Sequence, residues 1–216
     1  MNKNIPKIMK ILDKKYPHTN KTTLNRMRKK PNAFKILIAC LLSLRARDEN
    51  TEKVAKKLFK IADTPKRILA ISLKKLEKLI YSSGHYHKKA KTLKHVSKEL
   101  LKRFNEKVPA TREELLSIKG IGPKTANIVL AFAYGKPVLP IDTHCHRIPN
   151  RLSWVATKTP EKTETELTKI LRKKYWPNFN SIFVSFGREI CITISPKCSI
   201  CPISKYCPRI GVKRSR

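Results

Sequence analysis

The sequence predicts an all-α protein. Apolar residues recur at helical spacing along most of the 216 residues, and no segment alternates apolar and polar side chains as a half-buried strand does. Helix start and stop residues punctuate the pattern at matching points. Residues 5–16 carry apolar positions at helical spacing. Residues 33–44, AFKILIACLLSL, are apolar nearly all round and read as a central buried helix. Residues 49–62 are amphipathic, with Val54, Leu58 and Ile61 on one face. Two short helices follow in TPKRILAI and SLKKLEKLIYSSG, the second closed by Gly84. Residues 86–104 form a long basic amphipathic helix. TREELLSI (111–118) opens with the capping-box pair Thr111 and Glu114. Further helices are expected from Pro123, from an Asp142 cap, over 160–175 and over 180–191. The last stretch holds four cysteines among prolines and has no periodicity.

Lys and Arg number 49 against 15 Asp and Glu, a formal charge of +34. Such an imbalance repels itself and points to a polyanionic partner, nucleic acid or an anionic membrane surface. The basic residues are spread along the whole chain. No apolar run approaches the ~20 residues of a membrane span. The N-terminal segment MNKNIPKIMKILDKKYP has no signal-peptide core, so the expected location is cytoplasmic and nucleoid-associated, or nuclear.

Two local constellations carry chemistry. In LLSIKGIGPKTANIVLA, a tight Gly-Ile-Gly turn lies between two helical patterns. Gly122 reads as an N-cap and Pro123 as the first helical residue, which puts Lys124 in the first turn. The run is neither a Walker loop nor a dinucleotide fingerprint, because the glycine spacing fails both. Gly120, Ile121 and Gly122 form a turn at a helix N-terminus, which suits a backbone phosphate, with Ile121 anchoring it on the core. It looks like the helix-hairpin-helix motif of DNA-binding proteins. A lysine with its ordinary pKa is deprotonated about once in 2,500 molecules at pH 7. A helix dipole contributes only about 0.3–1 kcal/mol, less than tenfold. Position alone therefore leaves Lys124 two readings, a phosphate contact or a nucleophilic amine.

The second constellation is Cys191, Cys198, Cys201 and Cys207, spaced C-x6-C-x2-C-x5-C. Four thiols this close suit a metal. Structural zinc and a [4Fe–4S] cluster both fit the spacing; a single C-x2-C, where zinc ribbons pair two, leans toward iron–sulfur. Cys40 and Cys145 stand outside this pattern, and Cys40 reads as inert core.

Taken together, LLSIKGIGPKTANIVLAFAYG, Asp142 in IDTH 18 residues after Lys124, and the four-cysteine tail resemble the endonuclease III family. These are helix-hairpin-helix DNA glycosylases with an iron–sulfur cluster. The likeness runs over nearly the whole chain, including ILIACLLSLRARD and SSGHYHKKA. It implies two helical domains with a DNA-binding cleft between them. One is a six-helix barrel over residues 26–136, with the helix-hairpin-helix at about 111–134; the other joins residues 1–25 to 137–216. It further implies a monomer acting on double-stranded DNA with damaged bases or abasic sites, with no membrane role. The implied chemistry is that of a bifunctional DNA glycosylase and AP lyase in base excision repair. Lys124 is then the Schiff-base nucleophile and Asp142 its catalytic carboxylate. Oxidised pyrimidines are the implied substrates, and the four cysteines the ligands of a structural [4Fe–4S] cluster. The cluster would fix the loop from which Lys197 reaches a phosphate.

Departures from the family pattern bear on lesion choice. Arg45 stands where Gln is common, at the position that fills the gap left by an extruded base. His85 stands where bacterial members place a Leu wedge. Pro149, seven residues past Asp142, is expected to kink its helix or end it early. The adenine-mismatch branch normally lacks a lysine at the nucleophile position, which counts against it here. A thymine- or uracil-mismatch glycosylase is the nearest alternative. A non-enzymatic DNA-binding module with a structural metal is the rival from another class.

Overall fold

The computed structural model describes residues 4–17, 22–28, 30–46 and 48–216. Among these residues the regular structure is helical: α1 (Ile5–Lys15), α2 (Thr23–Met27), α3 (Ala33–Ser43), α4 (Asp48–Ile61), α5 (Pro65–Ala70), α6 (Leu73–Ile80), α7 (Tyr86–Phe104), α8 (Arg112–Leu116), α9 (Pro123–Ala133), α10 (Thr143–Arg151), α11 (Pro160–Ile170) and α12 (Trp176–Glu189). Single 3-10 turns add Tyr81–Ser83, Lys173–Tyr175 and Ser204–Tyr206. No helix among the described residues is long and apolar enough to cross a membrane. Residues 1–3 and 18–21, part of the segment expected to join the second domain, lie outside the described residues.

The helices start where side chains can cap them. Thr22, Asn32, Thr64, Ser72, Thr111 and Thr159 each accept the amide three residues on. Thr111 also donates to the Glu114 carboxylate at 2.6 Å, closing the expected capping box with a side-chain pair.

The chain divides into two compact units, Asn20–Lys136 and Met1–Thr19 with Pro137–Arg216. In the first unit, α3 packs on α9 and α4, and α7 packs on α5 and α6. Helix α3 buries Phe34 and every residue from Ile36 to Leu42. Helix α9 buries every residue from Thr125 to Leu130, and Phe132. Each such aliphatic side chain contributes about 1.5–3 kcal/mol on burial. Cys40 is fully buried in this seam, as an inert core residue should be.

In the second unit, Ile8, Met9 and Leu12 of α1 belong to one core with Phe179, Phe183 and Phe186 of α12. Phe179 and Phe183 stack with ring centroids 4.1 Å apart. Helices α10 and α12 pack together at Gly187, where a Cβ would come within 2.3 Å of the His144 ring.

Four boundaries differ from the sequence expectation. Helix α2 lacks any apolar period in its TLNRM and was not expected. Helix α11 stops at Ile170 instead of 175. Helix α12 begins at Trp176, four residues before 180. There Trp176 is buried, its indole N–H donates to the Leu171 carbonyl at 2.8 Å, and Pro177 sits in the first turn as a helix-start residue. Pro149 does not end α10, which continues to Arg151. The Asn150 side-chain amide donates to the His146 carbonyl at 2.8 Å, and the chain then turns through a left-handed Ser153.

Candidate active site

The hairpin before α9 is built from backbone requirements. Gly120 has φ +102, and a Cβ there would meet the Thr92 methyl at 2.7 Å. Glycine is therefore required twice, by conformation and by the approach of α7. Ile121 is 5 % exposed and its amide donates to the Ile118 carbonyl at 3.0 Å. It anchors the turn inward, and both its side chain and its N–H are committed there. Gly122 is extended, caps α9, and has open space where a Cβ would stand. Pro123 brings no N–H. The amides at the start of α9 thus face a surface that a phosphate can approach.

Lys124 is half-buried in this first turn. Burial pushes the Cys40 thiol up, while the Lys124 amine and hydrogen bonds to Thr125 and Ser43 act in the opposite direction. The Cys40 thiol lies 3.7 Å from the Thr125 hydroxyl. Lys124 therefore stands at the end of the α3–α9 seam, where the C-terminal half of α3 meets the start of α9. Arg45 lies just beyond the end of α3 and is exposed, with φ 53; His85 precedes α7 and is exposed, with φ 48.

Asp142 belongs to the other unit. Its Oδ1 accepts the amides of His144 at 2.9 Å and Cys145 at 2.8 Å, so it caps α10 as the sequence suggests. Its Oδ2 carries no hydrogen bond among the described residues. The carboxylate is half-buried, with the Arg147 guanidinium close enough to interact electrostatically.

The four cysteines come together at one small pocket, with apolar walls from Ile148, Leu152, Phe186, Ile190 and Ile203. Burial pushes the Cys201 thiol up to about 11 and raises Cys207 as well. Buried Arg151 donates to the Cys191 sulfur at 3.3 Å and to the Ile192 and Thr193 carbonyls at 2.7 Å each. Arg147 donates to the Cys191 carbonyl at 2.7 Å. Lys197 is half-buried at the rim, with its amide bonded to the Ile190 carbonyl at 3.0 Å. Among the described residues, no three or more His, Cys, Asp or Glu side chains are close enough to hold a single metal ion. Four thiols lining one pocket are the donor set of a thiolate-bound metal centre, zinc or iron–sulfur.

Sequence reasoning missed the two arginines and Lys89, whose amine is buried between α3 and α7. Arg147 and Arg151 are four apart on the α10 face that also carries His144 and Ile148, a spacing that could have flagged them. Lys89 has no such signal, because HKKA reads as solvated charge.

A family model described as HhH-GPD superfamily base excision DNA repair protein matches residues 38–173. The endonuclease III of Thermotoga maritima is 41% identical over 203 residues, covering 94% of this chain and 92% of the relative. The chain belongs to the endonuclease III family. It is accordingly a base-excision repair enzyme of the DNA glycosylase and AP lyase class. A solved structure of a trapped endonuclease III–DNA covalent intermediate, an estranged-adenine complex, superposes with a TM-score of 0.88 at 32% identity, covering 97% of this chain and 96% of that one. A thermostable thymine-DNA glycosylase shares the fold, with a TM-score of 0.83 at 23% identity, 96% of this chain and 97% of that one being covered.

The hairpin geometry separates the two glycines. Gly120→Ala is expected to cost about 1–3 kcal/mol of unfolding free energy, since it puts a side chain at positive φ against Thr92. Gly122→Ala is expected to cost under about 1 kcal/mol, a weaker cap in open space, and to weaken duplex binding more than Gly120→Ala does among folded protein. Urea unfolding and duplex titration on both variants check this.

Proposed function

We propose that this enzyme removes oxidised pyrimidines from duplex DNA and cleaves the strand 3′ to the resulting abasic sugar, with Lys124 as nucleophile. The observation that carries the reading is the placement of Lys124. It is a half-buried amine in the first turn of a buried helix, two residues past a hairpin whose open side suits a phosphate. A related structure traps a covalent endonuclease III–DNA intermediate, and such an intermediate needs a protein nucleophile.

In this reading the Lys124 amine attacks C1′ of an extruded nucleotide, and the base leaves with the electron pair of the glycosidic bond and takes up a proton. The sugar ring opens to a protonated Schiff base. Loss of a C2′ proton then expels the 3′ phosphate by β-elimination, and water releases the enzyme. Asp142 supplies a carboxylate that stabilises positive charge on the sugar or accepts a proton from Lys124; capping with Oδ1 leaves Oδ2 for this role. Gly120 and Gly122 shape the phosphate turn, Ile121 holds it on the core, and Lys197 adds a phosphate contact. Arg45 and His85 meet the duplex at the vacated position and its neighbouring stack. Residues 26–136 act as the hairpin domain, and residues 1–25 with 137–216 as the cysteine domain. The enzyme works as a monomer where the cell keeps its DNA.

Cys191, Cys198, Cys201 and Cys207 hold a [4Fe–4S] cluster, which serves as a structural cross-link. The four thiols on one pocket and the Arg151 donor to Cys191 support a thiolate-bound metal centre, and the single C-x2-C with the family likeness favours iron–sulfur over zinc. Protein purified without oxygen is expected to contain about four iron and four sulfide per chain with broad visible absorbance. Cys201→Ala should lose both and unfold at lower temperature. Stoichiometric zinc without sulfide would contradict the assignment.

Single-turnover assays on duplexes carrying thymine glycol, an abasic site or thymine opposite guanine test the chemistry. Wild type is expected to cleave the first two. Lys124→Ala should cleave neither while still binding duplex. Asp142→Asn keeps the cap acceptor and should react about 10²–10⁴-fold more slowly. Strand cleavage by Lys124→Ala would refute the role of Lys124, and selective action on the mismatch would move the substrate class to mismatched thymine.

A further inference from the structure

Lys89 is the most committed buried charge in the hairpin unit. It lies in the first turn of α7 and is 7 % exposed. Its ammonium donates to the Leu42 carbonyl at 2.6 Å and to the Ser83 carbonyl at 2.7 Å. Leu42 is in the last turn of α3, where carbonyls have no partner within the helix. Ser83 ends the 3-10 turn before Gly84. One cation therefore joins two chain ends that are far apart in sequence.

Each of these carbonyls leads into a loop with an unusual backbone. Three residues past Leu42 stands Arg45 with φ 53; two residues past Ser83 stands His85 with φ 48. Both are exposed non-glycine residues in the left-handed region, a conformation that persists only where its surroundings impose it. Burying an ammonium costs more than burying a methylene chain of the same size, so packing alone does not account for a lysine here. A cation does meet the negative end of α3 and satisfy two carbonyls at once.

We propose that Lys89 is a positioning residue that holds Arg45 and His85 in one fixed relation, so that both enter the same duplex together and discriminate the base opposite the lesion. The proposal rests on the reading that Arg45 and His85 face DNA. Without the Lys89 tether each loop must be ordered on binding, and that ordering is subtracted from affinity. The chemistry at Lys124 does not depend on it once the DNA is seated.

The test uses full-length protein and a duplex with a reduced, uncleavable abasic analogue opposite each of the four bases. Lys89→Met keeps the volume and removes the donors. It is expected to bind at least about tenfold more weakly and to compress the spread among opposite bases, in keeping with lost preorganisation. At saturating enzyme, its single-turnover rate on a natural abasic site should stay within about threefold of wild type, as expected when binding and not the chemical step is affected. Arg45→Ala and His85→Ala should each cost less in the Lys89→Met background than in wild type, since residues acting as a unit are not additive. Lys89→Gln, which keeps a neutral donor, should recover part of the affinity, and it carries the same comparison if the methionine variant does not fold. Unchanged affinity and spread in the Lys89 variants, with Arg45→Ala and His85→Ala still harmful, would overturn the positioning role. If Arg45→Ala and His85→Ala are themselves without effect, the reading that they face DNA fails instead.

Discussion

Helices α3 and α9 are both apolar nearly all round and bury against each other, and that burial decides where the functional ends of the hairpin unit emerge. Cys40 near the end of α3 meets Thr125 at the start of α9, so the outgoing chain of α3 and the incoming chain of α9 share one end of the seam. Arg45 follows the first and Lys124 opens the second. Helix α7 brings its own start to the end of α3 through Lys89, which adds His85 to the group. A close-packed interior transmits such placement with little slack. A lone cation can begin a buried helix to good purpose here. The helix supplies rigidity; in the proposed mechanism the hairpin supplies phosphate contact and the amine is set in place before any substrate arrives.

The cysteine-bearing unit uses a different device. Its C-terminal stretch has little periodic apolar sequence, so a helix core cannot order it. Two arginines of α10 do part of that work by donating into Cys191 and the carbonyls of Ile192 and Thr193, which orders the loop leading to Lys197. Arg151 serves both the Cys191 sulfur and the loop backbone. In the proposed cluster site such a donor would orient its ligand as well as support it.

Much of this is legible in the sequence, for physical reasons. Helices α1, α3 and α7 follow from apolar spacing, and the Thr111 and Asp142 caps from the hydrogen bonds those side chains offer. The Gly-Ile-Gly turn is legible because glycine is the residue that positive φ and the approach of Thr92 demand at position 120. The start of α12 lies outside the apolar period read for that helix; its signals are Pro177 in the first turn and buried Trp176, bonded to Leu171. Lys89 carries no such signal. Its ammonium is held by carbonyls of α3 and of the 81–83 turn, while the nearby Lys88 and Lys91 are exposed. At Pro149 the helix runs on for two residues and then stops at Arg151, close to the early end that a proline predicts.

The most direct measurement is to incubate the enzyme with an abasic duplex under borohydride, digest the product, and map the reduced cross-link by mass spectrometry. The chain carries 35 lysines, so a nonspecific adduct has many alternatives. The expected result is one modified position, Lys124, in the peptide that begins α9. A cross-link at another lysine, or scattered over several, would contradict the assignment of Lys124 as the nucleophile.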